Sequence, residues 1–141
     1  MNHPQGQTGP STLSYWASAL HLAFLPVFVV VTRLPFEDRG GWLNIVFGLL
    51  SVTATVMTVI RVRSGLFRHR ASEAGLIALS VLSSLSILAA AAAHLATGPD
   101  SIGAGALSLL GILLHAATGL WLWIREGTRR ATASPVCAAR A

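Results

Sequence analysis

The chain contains no lysine; all ten of its basic residues are arginine. Charge of either sign is scarce, with five acidic residues and 11% charged positions in 141. There is one cysteine, Cys137, so neither an internal disulfide nor a cysteine-based metal centre can form. No carboxylate lies inside a long apolar run: Glu37, Asp38, Glu73, Asp100 and Glu126 all fall at run ends or between runs. That placement disfavours a proton- or cation-coupled exporter, which ordinarily keeps an acid at membrane depth. Histidine is then the only side chain at depth able to couple protons. No acid pair and no nucleophile–base motif marks the chain as an enzyme. The arginines cluster at the ends of apolar runs, which suits topology signals and not a phosphate-binding face, so no nucleic-acid partner is expected.

What the chain has in quantity is apolar length. Hydrophobic residues make up 53% of it, and the mean hydropathy is +0.65. Four runs are long enough to cross a bilayer: about 15–34, 42–62, 74–97 and 102–124. The expected fold is all-α, a polytopic membrane protein with four transmembrane helices in an up-down-up-down antiparallel bundle, because the connections are too short for any other order. The domain boundaries follow: a disordered tail over 1–13, the bundle over 14–125, and a second disordered tail over 126–141. The stretch before the first run has no arginine or lysine, unlike the basic start of a signal peptide, so that run is expected to be retained. Pro26 falls in the middle of the first run and is expected to kink it or to free the carbonyl near Leu22.

The arginines also set the expected orientation. The connection RVRSGLFRHR between spans two and three holds Arg61, Arg63, Arg68 and Arg70, and the C-terminal segment holds Arg125, Arg129, Arg130 and Arg140. The opposite side has only Arg33 and Arg39. The positive-inside rule therefore places both termini in the cytoplasm. An arginine-only, alanine-rich composition fits a bacterial genome, which makes the membrane a bacterial inner (plasma) membrane. Arg61, Arg63, Arg68 and Arg70 are also candidates for contact with anionic lipid headgroups, each contributing about 1 kcal/mol near the surface.

Each span carries a polar or small-residue stripe at alternating spacings of three and four, the seam of a left-handed helix pair. Span one places Ser14, Ser18, His21, Leu25, Phe28 and Thr32 on it; span two Asn44, Gly48, Ser51, Thr55 and Thr58. Span three contributes Ser80, Ser84, Ile87, Ala91 and His94; span four Ser108, Gly111, His115, Thr118 or Gly119, and Leu122. In lipid, helix interfaces are marked by small and polar residues, so these stripes are expected to face inward. Ser80, Ser83, Ser84 and Ser86 are read as packing residues and not as nucleophiles. At a rise of about 1.5 Å per residue, His21 lies roughly 10 Å and His115 roughly 13 Å inside the same edge of the membrane. Asn44 and His94 both lie within about 5 Å of the other edge. Two polar layers are therefore expected: His21 with His115, and Asn44 with His94.

A histidine in hydrocarbon needs a partner, and Gly111 and Gly119, four residues either side of His115, let a neighbouring helix approach closely enough to provide one. The favoured reading makes these residues, with Ser51 and Thr55, the polar packing of a small non-enzymatic integral membrane protein: an accessory, assembly or interaction subunit. Its partners would be the lipid bilayer and other membrane proteins or a second copy of itself. No catalytic residue, no metal site and no cofactor are expected. The alternative reading makes His21 and His115 axial ligands of a b-type haem, or part of a quinone-binding redox site, with the glycines making room for the macrocycle. A second alternative is a small oligomeric transporter.

Overall fold

The structure is a computed structural model that describes residues 12–33, 41–64, 70–98 and 102–133. The described residues form four α-helices and no strand: α1 (Thr12–Arg33), α2 (Gly41–Arg63), α3 (Arg70–Thr97) and α4 (Ile102–Ala133). Each contains a stretch long and apolar enough to cross a bilayer. Successive helices pack side by side and α4 closes back on α1, giving a four-membered ring in sequence order. This is the architecture of a small multi-pass integral membrane protein.

The ring is built inside out by the standards of a soluble domain. Among the described residues, more polar than apolar side chains are buried, while Leu49, Val56, Leu85, Leu113 and Leu120 all face outward. Lipid tails are as apolar as leucine, so burying leucine brings no gain there, and the helices meet instead through small and hydrogen-bonding residues. Two compact apolar clusters remain inside. One joins Ala17, Val62, Leu76 and Leu122 near the end where α1 begins and α4 finishes. The other joins Phe24, Ile87 and Ile112, with Phe28 and Phe47 against them, toward the opposite end. The polar layer lies between them.

α1 runs from Thr12 to Arg33 with Pro26, which is exposed, inside it. Three boundaries and placements differ from the sequence expectation. Leu25 is 48% exposed, because after His21 the inward seat falls three residues on, at Phe24, whose ring stacks against His115. α3 begins at Arg70, about a turn before the expected start, and carries Glu73 in its first turn. α4 continues to Ala133, past Arg125, where a disordered tail was expected. The extension has a physical cause: Glu126 is turned into the bundle and bonded there, which holds this turn of helix in place. Residues 134–141 and 1–11 lie outside the described residues. α3 ends at Thr97 and is followed by Gly98, whose φ of +84° favours glycine and whose N–H is donated to the His94 carbonyl at 3.0 Å.

Candidate functional site: a buried histidine pair

The small residues of α4 set the distances on which the site depends. A Cβ added to Gly111 would lie 2.8 Å from Ile87 Cδ1 and 3.2 Å from the Ile87 backbone nitrogen. A Cβ on Gly119 would lie 2.9 Å from Leu22 Cγ and 3.0 Å from His21 Cβ. The two glycines thus admit α3 and α1 respectively to backbone contact with α4. Ser18 fastens the second approach by donating its hydroxyl to the Gly119 carbonyl at 2.9 Å. With α1 drawn this close, His21 and His115 are brought together at the bundle axis.

Both rings are fully buried. Their Nδ1 atoms are 2.7 Å apart, and the ring centroids are 4.9 Å apart with planes at 39°. The outer nitrogens are also engaged. His21 Nε2 meets Thr58 Oγ1 at 2.8 Å, and His115 Nε2 meets Ser51 Oγ at 2.7 Å. Phe24 lies parallel over the His115 ring, 4.1 Å between centroids and 6° between planes. α2 and α4 are diagonal in the ring and share no backbone approach. Ser51 and His115 nevertheless bond across the diagonal, so the polar side chains complete what the backbones do not.

The chain of bonds continues beyond the pair. Ser51 donates to Ser84 Oγ at 2.8 Å, and Ser84 donates back to the Ser51 carbonyl at 3.0 Å. Thr55 Oγ1 lies 2.7 Å from Ser84 Oγ and 2.9 Å from Ser80 Oγ. Ser83 donates to the Ser80 carbonyl at 2.7 Å. The direction of the chain follows from counting hydrogens. Ser51 spends its proton on Ser84, so it accepts from His115 Nε2–H. His115 Nδ1 is then bare in the neutral ring and accepts from His21 Nδ1–H. His21 Nε2 faces Thr58 Oγ1 at 2.8 Å, whose own proton goes to the Ala54 carbonyl at 2.9 Å. Every buried side-chain nitrogen and oxygen among the described residues has a partner, as hydrocarbon surroundings demand.

The geometry bears on the haem alternative. An iron between two imidazoles separates its ligand nitrogens by about 4 Å, twice a metal–imidazole bond of about 2.0 Å. Here the facing nitrogens are in hydrogen-bond contact at 2.7 Å. The other two are taken by Thr58 and Ser51. The space beside Gly111 and Gly119 is filled by Ile87 and Leu22, where a macrocycle would have to lie. The residues as arranged do not fit that group. No set of three metal-ligating side chains converges among the described residues.

The other sequence-predicted residues fall out as follows. Ser51 is fully buried and Thr55 half-buried, both in the network. His94 is half-buried near the end of α3, and the Asn44 side chain with which it was expected to pair lies outside the described residues. Among the headgroup candidates, Arg63 is exposed, while Arg68 and the Arg70 side chain lie outside the described residues.

Arg61, another headgroup candidate, is 5% exposed and turned into the bundle. Its guanidinium donates to Glu126 Oε2 at 3.1 Å, to Ser14 Oγ, and to Ser64 Oγ at 3.1 Å. Ser14 in turn donates to Glu126 Oε2 at 3.2 Å. This second polar layer joins α1, α2 and α4. It was missed because Arg61 and Glu126 are 65 positions apart and each reads alone as a span-end charge. The usable signal was that Ser14 continues the inward stripe to the same level.

No protein-family model matches the chain, and neither a curated protein nor a solved structure matches it.

Proposed function

We propose that this integral membrane protein is a non-enzymatic accessory, assembly or interaction subunit of a cell membrane, with both termini in the cytoplasm. The observation that supports this reading is the division of the bundle's surfaces. Inside, the histidines, serines and threonines bond to one another, leaving a closed and self-satisfied interior. Outside, every helix presents leucine together with isoleucine or valine. The segments of sequence between the helices are short, so recognition falls to those outward faces and to the arginine-rich connection between α2 and α3. There Arg63, Arg68 and Arg70 would meet anionic headgroups.

Photo-crosslinking amino acids placed at Leu49, Leu85, Leu113 and Leu120 in native membranes test the reading. The expected result is a discrete adduct with another membrane protein, or with a second copy of the chain, from one face and not the others. Lipid adducts alone from every face would overturn it. So would a Soret band in the purified protein, which would restore the b-type haem reading of His21 and His115. Solute flux in proteoliposomes would favour the oligomeric transporter instead.

A further inference from the structure

At the end of the bundle where α1 begins, a cavity of about 160 Å³ opens between α1 and α4. Its wall includes Ser14, Tyr15 and Ser18 from α1, and Trp123, Glu126 and Gly127 from α4. It lies at the level where the apolar stretches of both helices begin or finish, the depth of lipid headgroups. Tyr15 and Trp123, 56% and 57% exposed, flank it as an interfacial aromatic belt would.

The hydrogens of its buried wall are already spent. Ser18 donates to the Gly119 carbonyl. Ser14 donates to Glu126 Oε2. Arg61, which is not part of the wall, directs its guanidinium to Ser14, Ser64 and Glu126 Oε2. What the buried part of the wall retains is acceptors; the donors that remain, the Tyr15 O–H and the Trp123 indole N–H, sit on the exposed rim. The bonds to Glu126 fall on Oε2, leaving Oε1 as acceptor capacity. Ser18 Oγ keeps its lone pairs, and the two aromatic rings offer π faces. A ligand group that enters the buried part of this wall must donate N–H groups. A cavity of about 150 Å³ holds a benzene ring, so the space admits an ammonium with two or three carbons.

We propose that this cavity binds the primary ammonium headgroup of an aminophospholipid. The ammonium donates to Glu126 Oε1 and Ser18 Oγ and packs against Trp123 and Tyr15, while the acyl chains lie along the apolar outer faces of α1 and α4. A quaternary ammonium has no N–H to give, and a glycerol headgroup carries no cation. The site therefore prefers phosphatidylethanolamine to phosphatidylcholine and to phosphatidylglycerol.

Native mass spectrometry of the full chain in mild detergent, titrated with these three lipids bearing identical acyl chains, tests the proposal. Phosphatidylethanolamine is expected to be retained about tenfold more strongly than either competitor, the scale of a charge-assisted hydrogen bond. Gly127→Leu is the informative variant. A Cβ at Gly127 meets nothing within 4 Å, so the added side chain fills the cavity without disturbing the packing. It should abolish the preference at unchanged melting temperature. Glu126→Gln should weaken the preference as well, and because it also breaks the Arg61 pair, its melting temperature is measured alongside. Equal retention of the three lipids, or a preference that survives Gly127→Leu, would overturn the site. Competition by free ethanolamine without any preference among the lipids would overturn its assignment to a lipid.

Discussion

The Nδ1 atoms of His21 and His115 meet at 2.7 Å although the residues stand 94 positions apart and belong to the first and last helices. Because both rings are buried and hydrogen-bonded at both nitrogens, removing one leaves the other with an unmet nitrogen in hydrocarbon. His21→Phe and His115→Phe should each destabilise the bundle by about 1–3 kcal/mol. The double replacement should cost less than the sum, with a coupling of about 1–2 kcal/mol, near the top of the range for polar pairs between membrane helices. Thermal or denaturant unfolding in detergent measures all three. Additivity within about 0.5 kcal/mol would show that the rings do not depend on each other.

Gly111 should be as sensitive as either histidine. Even alanine there places a Cβ 2.8 Å from Ile87 side-chain atoms and 3.2 Å from its backbone nitrogen, so α3 must move away from α4. Overpacking of this kind costs about 1–3 kcal/mol, and Gly111→Leu should prevent the bundle from assembling. Gly105→Ala, on the same helix with nothing within 4 Å of the new Cβ, provides the control and should be neutral or slightly stabilising. Shortening the neighbour in Gly111→Ala/Ile87→Val should recover part of the loss. Equal melting temperatures for Gly111→Ala and Gly105→Ala would refute the close approach.

The ion pair of Arg61 and Glu126 makes a different demand. Both side chains are largely buried, 6% and 12% exposed, at the end of the bundle. Breaking such a pair from one side leaves an uncompensated charge and costs up to about 3–5 kcal/mol, whereas replacing both partners with apolar groups is often close to neutral. Arg61→Met alone and Glu126→Met alone should therefore lower the melting temperature strongly, and Arg61→Met/Glu126→Met should restore most of it. Arg63→Gln, two residues away and exposed, should leave it unchanged. If Arg61→Met and Arg63→Gln behaved alike, Arg61 would be facing headgroups after all.

These three sites were legible in the sequence to different degrees, for physical reasons. The helices could be read because an apolar run of membrane length has few other interpretations. The depth of each histidine follows from a fixed rise per residue once the span ends are known, and Gly111 and Gly119 sit where a close neighbour would require them. Phe24 was missed because its role is to stack on a ring from another helix, and stacking leaves no trace in spacing. Glu126 was missed for the opposite reason. Arg61 and Glu126 each obey a local rule, charge at a span end, and the rule is satisfied equally by solvent, by headgroups and by a partner across the bundle. Only the assembled ring, with Ser14 at the same level, distinguishes these.

The orientation of the bundle rests on charge alone, and Cys137 makes it directly measurable. Arg61 and Arg63 close α2, Arg70 opens α3 and Arg125 lies late in α4, all at one end of the ring, while Arg33 closes α1 at the other; in the sequence Arg68 and the arginines after Arg125 share the connection and C-terminal segment of the first group, and Arg39 follows Arg33. Short loops rich in arginine resist transfer across the membrane, so the end that carries α1's start and α4's finish should stay in the cytoplasm. The burial of Arg61 does not weaken this argument, since the sequence places seven further arginines in the same connection and in the C-terminal segment. A membrane-impermeant maleimide should therefore label Cys137, the only thiol in the chain, in inside-out vesicles and leave it unmodified in intact cells. Cys137→Ser removes the signal and provides the blank. Labelling in intact cells, with the cytoplasmic marker still protected, would invert the bundle. It would also move the Arg61–Glu126 layer and the proposed ammonium cavity to the outer leaflet.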